Sequence, residues 1–189
     1  MQGFQTIKEC ASSSLTQKGS HFLGFLYPIH LFEESLKALR EQHPKAVHFV
    51  NSSRLLNDFL QIEESFSDDG EPKGSSGMPT LKVLRGHNLL NVGFVSVRYF
   101  GGTLLGIGGL VRAYTENAKQ TIAVARLEPF KILSKEVFKI SFDKLSHATY
   151  LAQKFEISLE REFLSDGVCI KCVGEEQSLA SFQQQLFQL

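Results

Sequence analysis

The sequence contains no apolar run approaching the ~20 residues that span a bilayer, and its opening residues, MQGFQTIKEC, lack the charged and apolar regions of a signal peptide. These absences point to a cytoplasmic protein that does not engage a membrane. Net charge is missing too. Twenty basic and twenty acidic residues cancel, which excludes a global field drawing the chain onto nucleic acid or an anionic membrane, so any such binding needs a local patch. Cysteine is scarce, and three is an odd number, which argues against a disulfide framework and for a reducing compartment. There is no internal repeat and no low-complexity tract. What is present is 42% hydrophobic content with 16 Phe in 189 residues, enough to build one large folded domain or two small ones.

The cancelled charge is segregated along the chain. Residues 58–71 carry six acids and no base, whereas residues 73–126 carry seven bases against Glu116 alone. This is either a solvated acidic loop beside an ordinary mixed surface or a dipole that serves binding.

Hydrophobic periodicity predicts alternating strands and helices over the first two thirds. HFLGFLYPI (21–29) is a buried strand, LFEESLKALREQH (31–43) a helix, and AVHFV (46–50) a strand. A short helix follows with Pro79 near its start and Gly86 at its end. VGFVSVRYF (92–100) is apolar on both faces and belongs inside a sheet. Leu110, Tyr114, Ala118, Ile122 and Ala125 then mark a helix over about 109–126. Pro129 marks a joint, with expected domains at 1–127 and 128–189. Beyond it, VFKISF is a strand, KLSHATYLAQKF a helix, and EISLEREFL with VCIKCV a hairpin turned at Ser165-Asp166-Gly167. A last helix carries Leu179, Phe182, Leu186 and Leu189 on one side. The order βαββα predicts a small α+β unit with its helices on one face of an antiparallel sheet.

RYFGGTLLGIGGLVRAY, residues 98–114, holds five of the 15 glycines, but it lacks what the familiar phosphate loops require. Val111 stands where a dinucleotide fingerprint needs its third glycine, and Ile107 where a Walker A loop needs lysine. Gly101, Gly102, Gly106, Gly108 and Gly109 still permit tight turns and a helix start whose N–H groups face an anion, with Arg98 and Arg112 on either side. The alternative is a plain bend with Arg112 paired to Glu116. In SDDGEPKGSSGMP, Asp68, Asp69 and Glu71 have oxygen ligands for a hard cation but not the spacing of an EF-hand. Gly74-Ser75-Ser76-Gly77 lacks the G-x-S-x-G spacing of a hydrolase nucleophile. Cys169 and Cys172, three apart on a strand, point to opposite faces and are expected to be structural, so no metal and no cofactor is expected. His48 is a general base, an anion contact or a partly buried strand histidine.

KGSHFLGFLYPI, HPKAVHF, SDDGEPKGSSGMPTLKVL and NVGFVSVRYFGGTLLGIGGLVRAYTENA, in that order, resemble the YigZ/IMPACT family over about residues 18–125. The resemblance implies an α+β fold: an N-terminal βαβ-type domain similar to domain IV of elongation factor G, followed by a ferredoxin-like βαββα domain lacking its last strand. It also implies a signature surface containing His48, Asp68, Asp69, Glu71, Arg98, Tyr99, Phe100, the five loop glycines and Arg112. The animal member regulates translation initiation by binding proteins, and no enzymatic activity comes with the likeness. Two elements depart from the family pattern: Asn51-Ser52-Ser53-Arg54 replaces Ala-Tyr-Arg, and Gly74-Ser75-Ser76-Gly77 replaces Gly-Thr-Ala-Gly.

The expected function is that of a non-enzymatic, translation-associated regulator. It presents Lys82, Arg85, Arg98 and Arg112 on a basic glycine-rich surface to RNA, the ribosome or a ribosome-associated protein. The alternative is an enzyme acting on a phosphorylated small molecule, with Asp68, Asp69 and Glu71 as metal or acid/base groups and the glycine loop as phosphate holder.

Overall fold

Residues 3–188 are described by the computed structural model, an α+β chain with antiparallel sheets. It divides into two compact units, one ending at Phe130 and the other starting at Lys131. The first unit comprises β1 (Gln5–Thr6), β2 (Ala11–Gln17), β3 (Ser20–Pro28), α1 (Ile29–Gln42), β4 (His48–Leu56), β5 (Ile62–Ser67), α2 (Gly77–Gly86), β6 (Val92–Tyr99), α3 (Ile107–Val124) and β7 (Glu128–Pro129). The short β7 pairs with β1, which ties the segment around Pro129 to the first unit.

The five-stranded sheet has the order β2-β3-β6-β4-β5, every pairing antiparallel. β3 and β4 run parallel to each other with β6 inserted between them, so β3-α1-β4 is a split βαβ crossover. The central β6 is buried from Val92 to Arg98 because both its faces are covered. Val95 and Val97 pack with Phe32 and Leu39 of α1, while Phe94 joins Val83 and Leu84 of α2 and Ala118 and Ile122 of α3 on the other face. Each large side chain so buried contributes about 1.5–3 kcal/mol relative to exposure. Gly93 makes the first packing possible, since a Cβ there would fall 2.1 Å from Cδ2 of Phe32.

Three strand segments of the five-stranded sheet escaped the periodicity: all of β2, the NSSRLL half of β4, and β5 within the acidic stretch. Their faces are held by hydroxyl groups rather than apolar side chains. Ser13 bonds Thr121 of α3 at 2.7 Å, Thr80 of α2 donates to Ser52 at 2.9 Å, and Ser53 bonds Ser65 across β4 and β5 at 2.8 Å. Seryl strands carry no alternation of hydrophobicity to detect. The acidic stretch is thus in part an edge strand, with Ile62–Phe66 exposed.

The second unit runs β8 (Ser134–Ile140), a 3₁₀ turn at Phe142–Lys144, α4 (Leu145–Lys154), β9 (Ser158–Leu164), β10 (Gly167–Gly174) and α5 (Glu176–Phe187). Its sheet is antiparallel in the order β8-β10-β9. Val168, Ile170 and Cys172 of β10 meet Leu151 of α4 and Leu179, Phe182 and Leu186 of α5 in one core. Strand parity puts Cys169 on the opposite face from Cys172. Burial pushes the Cys172 thiol up to about 11, with Glu136 adding to it, so this cysteine is a packed thiol rather than a reactive one. Leu189, expected on the stripe of α5, lies outside the described residues.

Candidate functional site

The signature residues meet where the loop after β5 crosses the ends of β4 and β6 and the start of α3. Arg98 stands opposite His48 in the register of β6 and β4, and opposite Phe22 in β3. This row faces α3. Glu71 reaches it from the acidic loop. Its Oε1 accepts from Arg98 Nη1 at 2.5 Å and from the Tyr114 hydroxyl at 2.7 Å. Arg98 and Glu71 side chains are only 5% and 3% exposed, so this is a buried ion pair with a third, neutral donor. Burial first, and then the Glu71 carboxylate, push the Tyr114 phenol far above its ordinary value and keep it a hydrogen-bond donor. The Arg98 guanidinium also lies 5.5 Å from the Phe22 ring centre and 5.8 Å from that of Phe100.

His48 is fixed by its other ring nitrogen. Nδ1 donates to the Asp69 carbonyl oxygen at 2.8 Å, since a carbonyl only accepts, and this bond fixes the ring with Nε2 toward Glu71. That Nε2 lies 3.8 Å from Glu71 Oε2, too far for a hydrogen bond. Above these groups is a cavity of about 470 Å³. Arg98, Glu71 and His48 form its floor, with Leu105, Leu110, Gly106, Gly70 and Pro72 also lining it. At its mouth stand Val47, Phe100, Leu104 and Ile107, whose exposures of 49%, 48%, 83% and 65% make a contiguous apolar rim.

The three carboxylates of the acidic loop diverge, each bonding different partners. Asp68 accepts from the N–H groups of Gly74, Ser76 and Gly77 and from Ser76 Oγ, at 2.7–3.1 Å, and so caps the start of α2 from a distance in sequence. Asp69, at φ 45°, accepts from Arg40 of α1 at 2.7 Å and from the Phe49 N–H at 2.5 Å. Only Glu71 enters the cavity. Burial raises the Asp68 pKa, but the bonds from Gly74, Ser76 and Gly77 together outweigh it and hold the carboxyl below its usual range. A folded pKa below the unfolded one means stability fully present above the unfolded value of ~4 and lost as pH falls through it toward the folded one. Asp68→Ala is expected to cost about 2 kcal/mol at neutral pH, and Asp68→Asn to flatten the acid side of a melting-temperature profile between about pH 5 and 3.

The basic surface expected from Lys82, Arg85, Arg98 and Arg112 is mostly neutralised or dispersed. Arg98 is spent on Glu71. Arg85 and the buried Arg54 share the Glu64 carboxylate of β5, so the acidic stretch pairs with the basic one. Arg112 is exposed, its Nη1 near Gly108, and does not line the cavity that Arg98 lines. Lys82 lines a separate groove between α2 and α3 with His87 and Lys119. Tyr99 is on the wrong face altogether. One residue beyond Arg98, it points toward α1 and bonds His43 Nδ1 at 2.8 Å, an outcome that strand parity foretells.

Among the glycines, Gly106 adopts φ 70° at the N-cap of α3 and Gly101 abuts the β2–β3 turn, while Gly102 is exposed and Gly108 and Gly109 form the first turn of α3. The residues missed as site members are Ser20, whose hydroxyl serves both Gly101 N–H and Arg98, and the rim residues Val47, Leu104 and Ile107. Nothing in TLLGI signals that Leu104 and Ile107 stay outside.

A two-unit α+β chain with a glycine loop over a buried Arg–Glu pair defines a class, and comparison with known proteins names it. Residues 18–122 match the Impact N-terminal domain. The chain belongs to the IMPACT family. It is 29% identical to an IMPACT family member of Haemophilus influenzae over 89% of this chain and 84% of that one. It is 33% identical to an IMPACT family member of Thermus thermophilus over 79% and 80% of the two chains. A crystal structure of a hypothetical protein superposes with a TM-score of 0.69 at 25% identity, covering 97% of this chain and 90% of that one. No helix among the described residues is long and apolar enough to cross a membrane.

Proposed function

We propose that the chain is a non-enzymatic, translation-associated protein that binds a partner protein through the apolar-rimmed cavity of its first unit. The observation that carries this is the exposed apolar ring of Val47, Phe100, Leu104 and Ile107 around a recess whose floor is charge-balanced. Apolar anchors in such recesses dominate protein interfaces, whereas RNA binding relies on uncompensated cations, and here Arg98 and Arg85 are compensated. The association with translation, and with it a cytoplasmic location, comes from the family. In the same spirit we read the first unit as similar to domain IV of elongation factor G. We read the second as ferredoxin-like without its last strand, a view that the β8-β10-β9 order with both helices in one core supports.

An enzyme is favoured by one observation, the unpartnered Nε2 of His48 facing Glu71 Oε2 in a cavity. The cavity lining holds no serine, threonine, cysteine, tyrosine or lysine as nucleophile, and its compensated floor does not suit a phosphorylated substrate. Binding is therefore the better account. The test is capture from cell extract on the tagged protein, with and without ribonuclease. Leu104→Asp and Ile107→Asp should each weaken capture by tenfold or more while changing stability by less than about 0.5 kcal/mol, since both side chains are exposed. Capture that disappears with ribonuclease and survives in both variants would replace a protein partner by RNA.

A further inference from the structure

The floor of the cavity specifies the chemistry of what enters it. Glu71 spends Oε1 on Arg98 and Tyr114, but Oε2 makes no hydrogen bond among the described residues, although the side chain is 97% removed from solvent by its 3% exposure. His48 Nε2 is likewise without a hydrogen-bond partner, its ring oriented by the bond that Nδ1 donates to the Asp69 carbonyl. These two atoms face one another 3.8 Å apart without a hydrogen bond between them. An occupant that seals the cavity takes water from the free Glu71 oxygen, and an acceptor covered without a donor is costly, so an occupant that brings a donor is favoured over one that does not.

Charge narrows the choice. The Glu71 carboxylate is already matched by Arg98, so an ammonium or guanidinium pushed onto the floor would bury an uncompensated positive charge. The donor must be neutral. A phenol brings a donor but also lone pairs that need donors of their own, whereas the N–H of an indole is a donor only. Arg98 Nε is buried and unpartnered, which removes it as a donor to anything in the cavity. The walls and rim are apolar, and about 470 Å³ lies within the range of pockets that hold small ligands and admits a bicyclic ring. Phe100, 48% exposed, offers a ring at the mouth for an offset or edge-on aromatic contact. The first-turn N–H groups of α3 beside the rim suit a main-chain carbonyl flanking such an anchor.

We propose, on the basis of the protein-binding function above, that the cavity receives a tryptophan side chain of the partner, its indole N–H donated to the free Oε2 of Glu71. The anchor is electrostatically complementary to the floor and apolar everywhere else, the profile of an interface hot spot.

The chain contains no tryptophan, so indole fluorescence in a mixture comes from the probe alone. N-acetyltryptophanamide titrated with the full chain should show a saturable blue shift with a dissociation constant of about 0.1–1 mM, the strength expected of so small a ligand. Its N1-methylindole analogue, which keeps the ring and loses the donor, should bind about tenfold more weakly. Leu104→Asp should abolish the shift, and Glu71→Gln, which turns the free oxygen into an amide that can donate, should erase the preference for the unmethylated probe. The methylated probe perturbs the ligand and needs no variant, so the test survives if Glu71→Gln fails to fold. Equal binding of the two probes overturns the proposal, as does the absence of saturation, or a dinucleotide bearing adenine that displaces the indole at lower concentration. If partner capture still depends on Leu104 while no indole binds, the anchor is wrong and the protein-binding function stands. If capture is independent of Leu104, that function fails first.

Discussion

Replacing Arg98 by alanine is expected to destabilise the first unit by about 3–5 kcal/mol, a large share of the 5–15 kcal/mol typical of a whole domain. The cause is the carboxylate left behind. Glu71, 3% exposed, would lose its 2.5 Å partner and keep only the Tyr114 hydroxyl, and a carboxylate stripped of its cation in a nearly dry site must be resolvated or protonated. Glu71→Gln should cost less, because an amide oxygen still accepts from Arg98 and Tyr114. Replacing both members, Arg98→Met with Glu71→Leu, should recover much of the loss, since apolar groups of similar volume often match a buried pair. Arg112→Ala, on an exposed side chain, should stay within about 0.5 kcal/mol of the parent. Urea unfolding followed on the first unit's transition measures all four. An Arg98→Ala variant that unfolds at the parent's urea concentration would show that the pair is solvated and the cavity floor wrongly described. If Arg98 were the phosphate contact suggested by its place before a glycine loop, the loss would appear in binding with the fold intact. The buried pair reverses that order.

The two sides of this outcome mark how far the residues alone reach. Strand VGFVSVRYF is legible as a central strand because six consecutive positions, Val92 to Val97, are apolar or small, and the structure buries all of them and Arg98 as well. The same string cannot say that its arginine is turned inward against a glutamate 27 positions earlier, because pairing across that distance depends on where the acidic loop is folded back. Segregation of charge between residues 58–71 and 73–126 was visible. Its use was not: Glu64 and Glu71 neutralise Arg85 and Arg98 within the fold, rather than leaving a dipole on the surface. The parity that separates Cys169 from Cys172 applies equally to Arg98 and Tyr99, so the misplacement of Tyr99 was avoidable from sequence. The serine-rich strands were not, since their partners, Thr80 and Thr121, lie on helices whose position against the sheet no local pattern encodes.

Gly101→Ala is expected to damage stability and the cavity together, and Gly108→Ala to do neither. A Cβ on Gly101 would fall 1.8 Å from the carbonyl carbon of Gly19, 2.1 Å from its oxygen and 2.2 Å from the nitrogen of Ser20. All three are main-chain atoms, so no rotamer change relieves the overlap. Either the β2–β3 turn, where Lys18 and Gly19 both sit at positive φ, or the strand end after Arg98 must move. Overpacking of this kind costs about 1–3 kcal/mol and occasionally more, and the upper end is expected where only backbone can yield. The displacement also breaks the bond from Gly101 N–H to Ser20 Oγ at 3.2 Å, a hydroxyl that Arg98 shares at 3.4 Å, and it shifts Phe100 and Leu104 at the cavity mouth. Capture of the partner should therefore fall with stability. Gly108 differs in every respect: it lies inside α3, and a Cβ there meets only Arg112 Nη1 at 3.6 Å, so alanine should stabilise by about 0.5–1 kcal/mol. A loop whose glycines cradled an anion would give the opposite pattern at the second position, with Gly108→Ala impairing binding and sparing the fold. Parallel measurement of urea midpoint and partner capture for the two variants separates a loop built for close main-chain packing from one built to hold phosphate.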